Sequence, residues 1–180
     1  ASHWHTDDSY REKPATLTFI YPNTLPKNGG GTDFINCYSV FQNLPENLKN
    51  KISNLSAIHK WQSRRNVSKV AQLSKEQEEE TPDVEHPLIR THPVSGEKSL
   101  YINPNRIDHI AGFDHLESDK LLDELYEFSF QSKFQYSHSY QEGDLVIWDN
   151  RCTMHKANSD YDLNQLRVMH RVMLEGEKVY

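Results

Sequence analysis

His5-Thr6-Asp7 places an imidazole and a carboxylate two residues apart, so that on an extended segment both side chains face the same way. With a distant His155 they make two histidines and one carboxylate. Non-haem Fe(II) oxygenases use that set to grip iron on one face and leave the remaining positions open. Ten histidines make an H-x-D unsurprising somewhere in 180 residues, so spacing alone leaves this chemistry open. A second set lies near the C-terminus. Arg167, Met169, Arg171 and Met173 fall on one face of a strand, which aligns two guanidinium groups roughly 13 Å apart at about 3.3 Å per residue. On an apolar face each needs an anion.

These side chains need a scaffold, and its elements are mostly strands. Ala15 to Tyr21 is rich in β-branched and aromatic residues and reads as a strand, with Pro22, Asn23 and Pro26 as breakers. Gly29 to Gly31 allow a sharp turn before Thr32 to Ile35 resume an extended path. Ser39 to Asn54 reads as helix restarted at Pro45, and Leu55 to Trp61 as strand. Residues 62–85 are almost wholly polar, with SKEQEEE the one helical piece, and read as a surface insertion or a lid. His86 to Thr91 and Ser99 to Ile102 flank a hairpin with Ser95 and Gly96 at its tip. Ser118 to Phe130 is a helix with Ser118 as N-cap and Leu121, Leu122, Leu125 and Phe128 as its apolar stripe. Phe134, Tyr136, His138 and Tyr140 alternate as a strand. Leu145 to Ile147 is a buried strand, followed by a polar turn carrying His155 and the arginine strand. Short strands with few helices indicate a mainly β fold with flanking helices, a sandwich or jelly roll.

Composition narrows the partners. The length suits one domain over residues 1–180. A net charge of −6 without a Lys/Arg cluster argues against nucleic acid and leaves small molecules. Cys37 and Cys152 match no metal or redox spacing, which fits a reducing cytoplasm. No apolar run approaches the ~20 residues that span a bilayer, and no signal-peptide core opens the chain.

WHTD, GGGT, HPLIRTHPVSG, GDLVIWDNR and a His followed by R-x-M-H-R occur in one order along the chain. Together they resemble the TauD/TfdA family of Fe(II)/2-oxoglutarate-dependent dioxygenases. The resemblance implies a double-stranded β-helix, or jelly roll, whose mouth holds iron, with 2-oxoglutarate as cosubstrate and O2 as oxidant. It implies His5, Asp7 and His155 as iron ligands and catalytic centre. Thr32 and Arg167 would hold the distal carboxylate of 2-oxoglutarate, and Arg171 the anionic group of the substrate. Trp61 and Tyr101 match in position the aromatics that line the family's substrate pocket. The RVMHRV run resembles taurine-using members, so a sulfonate such as taurine is the first expected substrate. WDNRC is shared with aryloxyalkanoate-using members, which keeps a carboxylate second. Family members carry a segment before WHTD, so the chain is expected to lack an N-terminal part; a homo-oligomeric state is left open.

Two other classes compete. His3-Trp4-His5-Thr6-Asp7-Asp8 is one residue from the H-x-H-x-D-H motif of metallo-β-lactamase-like zinc hydrolases, with Asp8 where the last His would stand. That reading leaves the paired arginines unexplained. A non-enzymatic jelly-roll binding protein is the third reading, should no metal be held.

Overall fold

The computed structural model describes residues 2–66 and 73–179. In chain order the strands are β1 (Leu17–Thr24), β2 (Thr32–Asn36), β3 (Ser56–His59), β4 (Val84–Pro87), β5 (Ile89–Thr91), β6 (Lys98–Leu100), β7 (Ile107–Ile110), β8 (Gln135–His138), β9 (Val146–Asp149), β10 (Thr153–Ala157) and β11 (Val168–Met173). The helices are α1 (Cys37–Asn43), α2 (Glu46–Ile52), α3 (Lys75–Glu80) and α4 (His115–Ser129). Two antiparallel three-stranded sheets, ordered β11-β1-β9 and β10-β2-β8, frame the region of interest. A third, β4-β3-β7, and the β5-β6 hairpin complete the strand pairing described.

The first two sheets face each other. Trp148 of β9 meets Phe34 of β2 edge-on at 5.4 Å and His155 of β10 at 4.5 Å between ring centroids. Alternation along β1 buries Thr18, Ile20 and Pro22 and leaves Tyr21 and Asn23 exposed, so one face of the strand lines the space between the sheets. The apolar core lies to the side, where Val40, Leu48, Ile52, Ile107, Leu121, Leu122 and Leu125 are nearly or fully buried between helices and sheet. Each such side chain contributes about 1.5–3 kcal/mol through the apolar surface it removes from water. That core anchors the sheets that position the polar residues.

Several expected boundaries move. Pro22 does not break β1; the strand runs on to Thr24 with its register shifting between Pro22 and Thr24. Its pairing to β9 ends at Ile20, so proline sits at a bulge beside a free edge, where a missing N–H is tolerated. Helix α4 starts at His115 with Asp114 as N-cap, whose carboxylate accepts from Glu117 N at 2.9 Å. Ser118 instead lies inside the helix, fully buried, with its hydroxyl oxygen accepting from Ile110 N. Phe134 belongs to a short 3-10 turn and Tyr140 lies beyond β8, so the expected Phe134 to Tyr140 strand is shorter at both ends. His155 lies within strand β10, not on a turn, because it pairs with Phe34 of β2.

The polar stretch at 62–85 lies partly outside the described residues, at 67–72. Its first residues are fastened: Arg64 Nη1 donates to Asp119 at 3.0 Å, Arg65 pairs with Asp119 and Asp123, and Ser63 donates to Ile107 O at 2.7 Å. Its helix α3 has a complete capping box at Ser74 and Gln77 and buries none of its residues.

Candidate metal centre and anion cleft

His5 is not on a strand. It makes one antiparallel bridge to His155, with His5 N donating to His155 O at 3.0 Å and His155 N donating back at 2.8 Å. The two rings stand 4.2 Å apart as a result. The chain then turns from Asp7 to Tyr10, helped by Asp8 at φ +55°, a left-handed conformation that Asp tolerates better than most residues. The carboxylate lies on the same side of the chain as the His5 ring, beside both imidazoles. His5 Nε2 lies 3.7 Å from Asp7 Oδ1 and His155 Nε2 lies 3.9 Å from Asp7 Oδ2. One ligand atom from each of the three falls within 4.8 Å of the others.

The protonation states suit a metal. His5 Nδ1–H donates to His3 O at 2.8 Å, which leaves the Nε2 lone pair pointing at the cluster. Burial lowers the pKa of His5, outweighing the opposing pull of Asp7, and burial with the neighbouring His5 holds His155 well below the ordinary histidine value. Both rings are therefore neutral near neutral pH and offer lone pairs beside a carboxylate. Two neutral imidazoles and one oxygen donor fit a divalent first-row metal.

Beside the triad lies a cleft of about 130 Å³ lined by His5, His155, Thr32, Tyr140, Arg167 and Arg171, with apolar walls that include Ile20 and Trp148. Arg167 Nε donates to Gly30 O at 2.7 Å, and its guanidinium lies 5.8 Å over the Tyr140 ring. Asp160, an acidic neighbour that could have paired with Arg167, accepts from Gly30 N at 2.8 Å instead. The glycines make this approach possible. A Cβ on Gly30, at φ +71°, would meet Arg167 Cδ at 3.1 Å, and one on Gly31 would stand 2.4 Å from His138 O. Thr32, buried at the start of β2, shares a hydrogen bond of 2.9 Å with the Tyr140 hydroxyl. Burial raises the Tyr140 pKa, so that phenol keeps its proton. The cleft thus offers a guanidinium and two hydroxyls, a set suited to a carboxylate. Arg171 occupies the same face, half exposed, with Nη1 3.8 Å from Asp7 Oδ1.

Thus His5, Asp7, His155, Thr32, Arg167 and Arg171 come together, and Trp61 and Tyr101 do not. Trp61 packs edge-on against Tyr10 at 4.8 Å with Arg106 over its ring. Tyr101 is buried, stacked on His59 with Arg90 over its face. Neither lines the cleft, because ordinary aromatic packing accounts for both positions. Trp148 does line it, as a wall.

Three contributors were missed. Tyr140 was read only as part of an alternating strand. Thr18 is buried on one face of β1 with apolar Ile20 and Pro22, and that polar exception was its signal. Asn150 stands in the WDNR motif between two residues that drew more notice. Beside it, Arg151 donates to Asp149 through Nε at 2.9 Å and Nη2 at 2.6 Å, while His92 Nε2 donates to the same carboxylate at 3.1 Å.

The zinc-hydrolase arrangement is not formed. Among the described residues the groups that could hold a metal are the triad and Asp108, His109 and His115. His3 and Asp8 belong to neither; Asp8 turns to Tyr10 and Arg11. In the second group Asp108 is already committed to Arg64 N at 2.9 Å and to His109 Nδ1 at 2.9 Å.

The model of the family "Taurine catabolism dioxygenase TauD, TfdA family" matches residues 1–173. An alpha-ketoglutarate-dependent 2,4-dichlorophenoxyacetate dioxygenase of Burkholderia sp. (strain RASC) is 37% identical over 97% of this chain and 58% of its own length. A putative alpha-ketoglutarate-dependent sulfonate dioxygenase of Schizosaccharomyces pombe is 34% identical over 97% of this chain and 44% of its own. The solved structure of AAD-2 in complex with Mn(II) and N-oxalylglycine superposes with a TM-score of 0.89 at 32% identity, covering 99% of this chain and 70% of that one. The jelly-roll architecture expected from the strand pattern is therefore established. The chain spans roughly half the length of these two curated relatives.

Proposed function

This chain belongs to the TauD, TfdA family of dioxygenases, and we propose that it carries the iron and 2-oxoglutarate site of an oxygenase acting on a small anionic organic molecule. The observation that carries this reading is that two members of the His5, Asp7, His155 triad, His5 and His155, line one cleft with Arg167 and Thr32. His5, Asp7 and His155 hold the metal. Bound Fe(II), with 2-oxoglutarate and O2, supplies the oxidative decarboxylation that yields succinate and CO2 and hydroxylates the substrate. Arg167 and the hydroxyls of Thr32 and Tyr140 receive the distal carboxylate of 2-oxoglutarate, which fixes the other end of the molecule towards the triad. Apolar Ile20, Trp148 and Met169 exclude water from the same space.

Arg171 receives the substrate's anion. A sulfonate such as taurine, expected from the RVMHRV run, and an aryloxyalkanoate both remain in this proposal, since relatives named for each class match at nearly equal identity. Both oxyanions suit a guanidinium fork. Among the described residues no helix is long and apolar enough to cross a membrane. The free thiols Cys37 and Cys152 support placing the protein in the cytoplasm.

The test is metal and turnover together. Anaerobic loading should give one Fe(II) per chain and iron-dependent succinate formation from 2-oxoglutarate. Asp7→Ala should lose both. Decarboxylation by that variant at the wild-type rate would overturn the assignment.

A further inference from the structure

The two oxygens of the Asp7 carboxylate have different surroundings. Oδ2 accepts a hydrogen bond from the Thr18 hydroxyl at 2.7 Å. Oδ1 accepts none among the described residues, and its neighbours are His5 Nε2 at 3.7 Å and Arg171 Nη1 at 3.8 Å. His155 Nε2 is nearest to Oδ2, at 3.9 Å.

Thr18 is fully buried, and its orientation is dictated in turn. Because its proton goes to Asp7, its oxygen must accept elsewhere, and it accepts from Asn150 Nδ2 at 2.8 Å. The Asn150 amide can stand only one way round. Its Oδ1 faces the Trp148 indole N–H at 3.0 Å and the Asp7 backbone N–H at 3.3 Å, and both groups can only donate. The Asn150 backbone is fixed as well. Its N donates to Thr16 O at 2.9 Å and its O accepts from Thr6 Oγ1 at 2.8 Å. The result is a directed, buried chain of hydrogen bonds from Trp148 through Asn150 and Thr18 to a single oxygen of Asp7. It joins β9, the turn after it and β1 to the turn that carries the carboxylate.

We infer that Thr18 and Asn150 are positioning residues for the metal ligand Asp7, holding Oδ2 in a hydrogen bond and leaving Oδ1 as the oxygen that binds the metal. This rests on the triad assignment proposed above. Without the Thr18 hydroxyl, the carboxylate rotates about its last bond, and the metal site loses the orientation that the folded chain had already set. Partners of this kind typically contribute 10- to 100-fold in metal affinity.

The experiment is a Co(II) titration of the intact protein under nitrogen, reading the dissociation constant and the visible absorption band, alongside the melting temperature of the metal-free form. Thr18→Val should weaken Co(II) 10- to 100-fold and alter the band, while Thr18→Ser, which keeps the hydroxyl, should stay within about threefold of the wild type. A merely structural role for Thr18 would move the melting temperature and leave the band and the affinity of the folded fraction unchanged. Should Thr18→Val not fold, Thr18→Ala, which adds no methyl group against the carboxylate, is read against Thr18→Ser in the same way. Asp7→Ala separates the two levels of the argument. Retained Co(II) in Asp7→Ala would sink the triad itself. Lost Co(II) in Asp7→Ala with wild-type affinity and spectrum in the Thr18 variants would sink only the relay.

Discussion

Arg167 Nε donates to the Gly30 carbonyl oxygen at 2.7 Å, joining residues 137 positions apart. That bond spends the inner nitrogen of the guanidinium on the glycine turn and leaves the two outer ones for the cleft. Arg167→Ala should raise the dissociation constant for 2-oxoglutarate at least 100-fold, since an unpaired carboxylate in a desolvated pocket costs roughly 3–5 kcal/mol. Arg167→Lys should recover little of this, because an ammonium cannot bond Gly30 O and present a fork together. Titration of 2-oxoglutarate into the metal-loaded protein checks both; unchanged affinity in the alanine variant would remove Arg167 from the cosubstrate site.

Gly31 is the steric counterpart. A Cβ there would stand 2.4 Å from His138 O, across the pairing of β2 with β8. Gly31→Ala should lower stability by about 1–3 kcal/mol, as overpacking does. It should also weaken 2-oxoglutarate, because Thr32 follows directly in β2. Urea denaturation gives the first quantity and cosubstrate titration the second. Wild-type values in both would show that the strands separate without consequence.

How far the sequence reached depends on what sets each feature. The triad, Thr32 and the two arginines were legible because ordered motifs carry them, and the shared face of Arg167 and Arg171 follows from strand periodicity alone. The geometry that brings His155 to His5 and Asp7 was not legible. It depends on the single bridge between His5 and His155, a contact between distant segments. Ser118 looked like a cap because it precedes an apolar stripe, yet Asp114 four residues earlier had the same chemistry and the helix began there. Trp61 and Tyr101 lie away from the cleft for a related reason: aromatics are placed by packing, which leaves no local mark on the sequence.

The anchoring of residues 62–66 gives a pH prediction. Hydrogen bonding from Arg64, with Arg65 assisting, lowers the Asp119 pKa from an ordinary 3.8 to about 2. A carboxylate whose folded pKa is depressed stabilises the fold above its unfolded pKa and loses that contribution as pH falls through the folded one. Asp119→Asn should therefore be less stable than the wild type at pH 6, by no more than about 1 kcal/mol because solvent screens the pair. The difference should shrink as pH falls from about 4 towards 2. Calorimetric melting of both proteins across that range tests it, and a difference that stays constant with pH would assign the effect to something other than this ion pair.

Arg171 bears the prediction about substrate. Its side chain is half exposed, shares a face with Arg167 and Met169, and has Asp7 Oδ1 as its nearest anion at 3.8 Å. A metal ion held by Asp7 would take up that negative charge and leave the guanidinium to a second anion in the open part of the cleft. Substrates should therefore be acids. With short sulfonates, aryloxyacetates and the uncharged amides of each, the acids should stimulate succinate formation and the amides should not. Arg171→Ala should lose roughly 10- to 100-fold in kcat/KM for the acid, the range of about 1.5–3 kcal/mol for a hydrogen bond to a charged group. Its decarboxylation of 2-oxoglutarate without substrate should change little, because Arg167 and Thr32 are untouched. Preference for sulfonate over aryloxyacetate within the panel decides between the two substrate classes. An amide that stimulates as well as its acid, or a variant that keeps the wild-type preference, would make Asp7 the sole partner of Arg171 and exclude it from substrate recognition.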